Sequence, residues 1–109
     1  MIQRLYRKGK KMKVYITCNA AMSTGILELK LQDIADKEGK DIQFKAVPLN
    51  DLDKYIEDAD VILCSPQIRF VVKSLKEAHP DKIILQIGIQ EFGMMQADKI
   101  MDQITEAVK

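Results

Sequence analysis

The sequence predicts a single α/β domain of three layers, α-β-α, with a four-stranded parallel sheet and helices on both faces. Three observations carry that prediction. Short apolar runs alternate along the chain with segments of helical periodicity, which is the pattern of repeated β-α units. One run, Val61 to Cys64, is apolar at every position, as a parallel strand buried on both faces must be. The chain of 109 residues with 47% apolar content suffices for one compact core, and no internal composition shift marks a second domain. Residues 12–109 are assigned to that domain and residues 1–11 to a basic flexible extension.

Taken in order, Lys13 to Thr17 is the first expected strand, built on the β-branched and aromatic run Val14-Tyr15-Ile16. Ser23 to about Glu38 reads as a helix with Leu27, Leu31, Ile34 and Ala35 on one face, stopped by Gly39. Asp41 to Val47 alternates apolar and polar residues, which suits an edge strand with one covered face, and Pro48 ends it. Leu49 to Glu57 predicts a short helix with Leu49, Leu52 and Ile56 inward. After the buried strand Val61 to Cys64, Ser65 offers an N-cap and Pro66 a first helical position for a helix to about Ala78. His79-Pro80-Asp81 breaks that helix, Lys82 to Ile87 gives the fourth strand, and Ala97 to Val108 closes with Ile100, Met101, Ile104 and Val108 in one stripe. Right-handed crossovers then bring the loops Cys18 to Gly25, Ser65 to Gln67 and Gly88 to Met95 to one edge, at the carboxyl ends of the strands.

Charge divides the chain unevenly. Six of its 17 basic residues fall within the first 13 positions, so the remaining 96 hold 11 basic against 16 acidic side chains. The basic segment has no strand or helix pattern and precedes Met12, which favours a solvated extension, or an upstream start codon, over a nucleic-acid contact. No apolar run approaches the roughly 20 residues of a membrane helix and no signal-peptide pattern appears, so the expectation is a cytoplasmic protein without membrane insertion. Cys18 and Cys64 lie 46 residues apart with no metal-ligand spacing, and the single His79 has no partner motif, so neither a metal nor a cofactor is expected.

The chemistry is concentrated at Cys18-Asn19-Ala20-Ala21-Met22-Ser23-Thr24-Gly25, where a strand passes through a loop into a helix. A helix N-terminus presents backbone N–H groups without intrahelical partners and a partial positive charge, so it receives anions, and a cysteine delivered there is favoured as its thiolate. Cys18 is the candidate nucleophile and the N–H groups of Asn19 to Gly25 are the candidate phosphate donors, with the Ser23 and Thr24 hydroxyls as further donors. Ser23 reads also as a helix cap, Thr24 equally as a cap or a phosphate contact, and Phe92, Met94 and Met95 equally as core or as docking residues. Cys64, ending a buried strand with no flexible loop of its own, reads as structural.

Cys18-Asn19-Ala20-Ala21-Met22-Ser23-Thr24 resembles the active-site loop of the enzyme IIB subunits of the lactose/cellobiose (chitobiose) class of the bacterial phosphoenolpyruvate-dependent sugar phosphotransferase system. Asp60-Val61-Ile62-Leu63 leading to Ser65-Pro66-Gln67-Ile68 resembles that family's second signature, and the likeness extends from about Lys13 to the C-terminus. It implies a fold similar to low-molecular-weight tyrosine phosphatases and other flavodoxin-like proteins. It implies a phosphocarrier whose cysteine takes a phosphoryl group from a phosphohistidine of enzyme IIA and passes it to a sugar held by the membrane enzyme IIC. A phosphate-binding role for Gln67 also rests on this likeness. Two positions depart from the family pattern: Ala21 and Ser65 stand where glycines are usual, so a Cβ at residue 21 is costly if that position needs φ > 0, and Ser65 is expected to improve the helix cap.

Rival functions are separable on residues. A cysteine phosphatase of the Cys-x5-Arg type needs an arginine where this chain has Thr24. A receiver domain needs carboxylates where Cys18, Asn19 and Cys64 stand, and a thiol redox protein needs Cys-x-x-Cys. A regulatory or partner-binding protein of the same fold, without phosphotransfer, remains the main alternative.

Overall fold

Four parallel strands form the sheet: β1 (Met12–Cys18), β2 (Ile42–Pro48), β3 (Val61–Cys64) and β4 (Ile83–Gln86), in the spatial order β2-β1-β3-β4. The computed structural model describes residues 12–18 and 21–108, so the extension assigned to residues 1–11, together with Asn19 and Ala20, lies outside the described residues. The helices are α1 (Ala21–Lys37), α2 (Val72–Ala78), α3 (Ile89–Gly93) and α4 (Ala97–Val108).

Strand alternation sorts the core into two clusters. Met12, Val14, Ile16, Ile42, Phe44, Val61 and Leu63 face α1 and α4, where they meet Leu27, Leu31, Ala35, Ile100, Met101 and Ile104. Tyr15, Val47, Ile62, Cys64 and Ile84 face the opposite layer, which Leu52, Ile56, Ile68 and half-buried residues of α2 complete. Every residue of β3 is buried, as its unbroken apolar run requires in a strand flanked by β1 and β4. Truncating a fully buried side chain such as Ile104 to alanine removes about 2–5 kcal/mol.

β2 is the edge strand its alternation predicts, and α1 protects it. Gln32 Nε2 donates to the Ile42 carbonyl at 2.9 Å while its Oε1 accepts the Phe44 N–H at 2.9 Å, and Glu28 Oε1 accepts the Ala46 N–H at 2.6 Å. The outward ladder groups that invite another strand are thus occupied by helix side chains. Gly39 (φ +69) ends α1 as expected: its N–H reaches the Asp36 carbonyl at 3.3 Å and the Lys40 N–H reaches Ala35 at 2.9 Å, the double closure of a left-handed helix terminus.

Three local expectations are corrected. Leu49 to Glu57 is not a continuous helix but two 3₁₀ pieces, Leu49–Lys54 and Ile56–Asp58, parted at Tyr55; Asn50, Asp51 and Asp53 favour local turns over continued helix. Pro66 opens a 3₁₀ segment, Pro66–Val71, in which Ile68 leaves helical dihedrals (φ −115, ψ 25) with its side chain fully buried in the second cluster, so regular α-helix begins only at Val72. Gly88 to Met95, expected as a loop, holds the one-turn helix α3, which is too short to show a period in sequence.

Candidate active site

The chain leaves β1 for α1 on one face of the sheet and leaves β3 for α2 on the other. Between the carboxyl ends of β1 and β3 lies the topological switch point, where open α/β sheets hold their ligands. Cys18 is the last residue of β1 and Cys64 the last of β3.

Helix α1 begins at Ala21, two residues earlier than the periodicity predicts. The N–H groups of residues 21–23 are therefore among those without intrahelical partners, whereas Gly25 occupies the fifth helical position, inside the hydrogen-bonded part of the helix. No acidic residue stands in the first turn to oppose an anion. Residue 21 is the first residue of a right-handed helix, a backbone position that does not call for glycine.

Thr24 sits one turn into α1, 1% exposed, with its Oγ1 3.5 Å from Cys18 Sγ. The hydroxyl is thus directed at the cysteine. Cys18 itself is 2% exposed, buried by the layer that α1 lays over the end of β1. Among the candidate phosphate-binding residues, Asn19 and Ala20 lie outside the described residues, and Ala21, Met22 and Ser23 follow as the first three positions of α1. Gln67 is exposed on the first turn after β3, at the same edge as Cys18 but on the element that covers the other face of the sheet.

Cys64 is placed differently. It is fully buried in the second cluster, and this desolvation pushes its thiol up to about 11, with the Lys76 charge pulling only weakly in the other direction. Ser65 occupies the N-cap position before Pro66, but its hydroxyl makes no capping hydrogen bond, contrary to expectation. Phe92 and Met95 pack into the first cluster, which gives them a core role, while Met94 points outward at 64% exposure. The one arginine among the described residues, Arg69, is exposed in the 3₁₀ segment after β3. A shallow cleft of about 280 Å³ lined by Lys30, Asp33, Ile34, Met95, Ala97 and Asp98 lies further along α1 and does not include Cys18. No helix among the described residues is long and apolar enough to cross a membrane.

Comparison with known proteins agrees with this geometry. The family described as the lactose/cellobiose-specific IIB subunit of the PTS system matches residues 13–103. The galactose-specific EIIB component of Lactococcus lactis subsp. cremoris is 32% identical over 95 residues, covering 81% of this chain and 88% of that protein, and the cellobiose-specific EIIB component of Lactococcus lactis subsp. lactis matches to the same extent. The oligo-beta-mannoside-specific EIIB component of Bacillus subtilis is 29% identical over 93 residues, covering 84% of this chain and 90% of that protein. Among solved structures, the lactose-specific IIB domain of the phosphoenolpyruvate:carbohydrate phosphotransferase system from Streptococcus pneumoniae superposes with a TM-score of 0.83 at 15% identity, over 92% of this chain and all of that one. The cellobiose-specific IIB component from Borrelia burgdorferi superposes with a TM-score of 0.74 at 26% identity, over 92% of this chain and 94% of that one. With a parallel sheet in the order β2-β1-β3-β4, a cysteine at its switch point and a family match across most of its length, the chain belongs to the lactose/cellobiose-specific IIB subunits of the bacterial sugar phosphotransferase system.

Proposed function

We propose that this IIB protein is a cytoplasmic phosphocarrier that works on Cys18. The observation carrying this reading is the contact of Cys18 Sγ with Thr24 Oγ1 at 3.5 Å, which sets the sulfur against the first turns of α1 at the switch point of the sheet. In the first step the Cys18 thiolate attacks the phosphorus of a phosphohistidine on enzyme IIA; the S–P bond forms, the N–P bond breaks, and the imidazole leaves with the nitrogen electron pair. In the second step a sugar hydroxyl held by the membrane enzyme IIC attacks the same phosphorus. The O–P bond forms, the S–P bond breaks, the thiolate is regenerated, and the hydroxyl proton passes to a base on the acceptor side.

Phosphoryl transfer of this kind requires positioning and charge stabilisation more than covalent chemistry. The N–H groups of Asn19, Ala20, Ala21, Met22, Ser23 and Thr24, the Ser23 and Thr24 hydroxyls, and more distantly Gly25 and Gln67, are proposed to hold the phosphoryl oxygens. A carrier must also keep its phosphocysteine from water. The loop has no arginine to stabilise attack on the transferring group, and this separates the proposed relay from a phosphatase. The substrate is proposed to be a sugar of the cellobiose, β-glucoside or lactose type, the class to which the names of the relatives point.

The test is a two-stage relay. The protein is incubated with phosphoenolpyruvate and the upstream carriers including enzyme IIA, isolated, and then presented to membranes containing enzyme IIC with and without sugar. The expected outcome is one phosphoryl group per chain, stable in buffer and discharged only with membranes and sugar. No labelling of folded protein would point instead to a regulatory or partner-binding protein of the same fold.

A further inference from the structure

Ser65 is the unexplained residue beside the nucleophile. Its side chain is fully buried, and among the described residues its Oγ has no hydrogen-bond partner. A buried hydroxyl is ordinarily paired, because leaving it unpaired forfeits its hydration without compensation. The backbone gives Ser65 little freedom to avoid this. Its N–H is held by the Thr17 carbonyl at 3.0 Å, its carbonyl accepts from the Ile68 N–H at 3.1 Å, and Pro66 follows at once. The residue is fixed in place with an unused donor.

Register shows where that donor stands. Thr17 pairs with Cys64 across β1 and β3, so the next pair along the two strands is Cys18 and Ser65, on neighbouring strands about 4.8 Å apart. Alternation turns Cys64 toward the second cluster and Ser65 back toward the face that carries Cys18, beneath the first turns of α1. Thr17 supplies an internal contrast. Its Oγ1 is likewise buried without a partner, but alternation along β1 directs it away from Cys18, to the face of Tyr15. Of these two hydroxyls, the one on Ser65 shares a face with the nucleophile.

We propose that Ser65 Oγ is a phosphoryl-binding donor, unpaired in the resting protein and engaged when Cys18 carries its phosphoryl group. This inference rests on the phosphocarrier reading and adds a residue on β3 to a site otherwise built from the β1–α1 loop. A phosphoryl group on Sγ places phosphorus one bond and anionic oxygens two bonds beyond the sulfur, between β1, the N-terminus of α1 and Ser65. A hydroxyl donating to such an oxygen makes a charge-assisted hydrogen bond. No atom of Ser65 enters a covalent step. Its part is to hold one oxygen and so to favour the phosphorylated state.

The experiment compares wild type with Ser65→Ala, which keeps the Cβ, and Ser65→Gly. Three quantities are measured: the equilibrium extent of phosphorylation against a fixed ratio of phosphorylated to free enzyme IIA, the thermal midpoint before and after phosphorylation, and binding of inorganic phosphate to the unphosphorylated protein by amide chemical shifts of the Cys18–Gly25 segment. Ser65→Ala is expected to keep the resting thermal midpoint or raise it, Ser65→Gly to lower it through a backbone-entropy loss common to both states, and both to shift the phosphorylation equilibrium toward the donor on the order of tenfold and to bind phosphate correspondingly more weakly. A merely structural hydroxyl would lower the midpoint equally in both states and leave the equilibrium alone. Wild-type labelling with variants indistinguishable from it would overturn the role of Ser65 while leaving the phosphocarrier reading intact. Failure of wild type to label or to bind phosphate would overturn both.

Discussion

The molecule carries two cysteines in nearly equivalent positions, and they meet opposite surroundings. Both end a strand of the parallel sheet, both strands are internal, and both thiols are buried. Cys18 lies against the 17-residue helix α1, whose Thr24 Oγ1 stands 3.5 Å from its sulfur. Cys64 is followed by Ser65 and Pro66 and packs among Tyr15, Ile62, Ile68 and Ile84, where desolvation raises it to about 11. Burial alone therefore does not distinguish the proposed nucleophile from a core thiol. The difference lies in which face of the sheet the side chain takes and whether a helix N-terminus is directed at it.

The largest expected effect separates the two positions outright. Cys18→Ser is expected to lose phosphoryl acceptance from enzyme IIA and Cys64→Ser to retain it, with circular dichroism confirming that both variants fold. A smaller effect is expected where the contact to the sulfur is removed but the nucleophile kept. Thr24→Val preserves shape and removes the hydroxyl, and is expected to slow acceptance about tenfold by rapid-quench kinetics. Rates equal to wild type would mean that the Cys18–Thr24 contact plays no part in transfer.

Cys64 sharpens the comparison through pH. Its folded value lies above its ordinary value of 9.0, so the folded state binds the proton more tightly than the unfolded chain. The corresponding stability is fully present below pH 9 and lost as pH rises toward 11, amounting to about 2–3 kcal/mol. Tyr15 adds a second alkaline loss from about 10 to about 12, because burial first, and then its hydrogen bond to Asp58 at 2.8 Å, favour the neutral phenol. Urea unfolding of Cys64→Ala across pH 8–11 should show a shallower decline than wild type, and parallel curves would contradict the burial argument. The smallest effect concerns α1. A Cβ at Gly25 meets nothing within 4 Å, so Gly25→Ala should stabilise the protein by about 0.5–1 kcal/mol through helix propensity alone. A loss of stability would mean that the start of α1 requires backbone freedom.

Much of this was legible in the residues. The uninterrupted apolar run Val61 to Cys64 announces a central strand, the alternation through Ile42, Phe44 and Ala46 an edge strand, and Gly39 the end of α1, because burial pattern and backbone handedness are local properties. The segments whose form departs from expectation are those with no periodicity: the 3₁₀ pieces around Tyr55, the kink at Ile68 and the single turn of α3. At the site, Cys18 stood out through its loop, but the contact with Thr24 depends on α1 starting at Ala21. The pairing of Cys18 with Ser65 depends on the register of β1 against β3. Register between strands separated by more than 40 residues is a tertiary property that the residues themselves do not display.

Whether the phosphoryl group resides on Cys18 is tested most directly by mapping it. The wild-type protein is phosphorylated through enzyme IIA, digested, and analysed by mass spectrometry under conditions that preserve an acid-stable, iodine-labile phosphothiol. The added phosphate is expected on the peptide containing Cys18, at one group per chain, and none on the peptide containing Cys64. Phosphate on the Cys64 peptide, or on a histidine or serine peptide while Cys18 remains alkylatable, would contradict the assignment of the site to the β1–α1 loop.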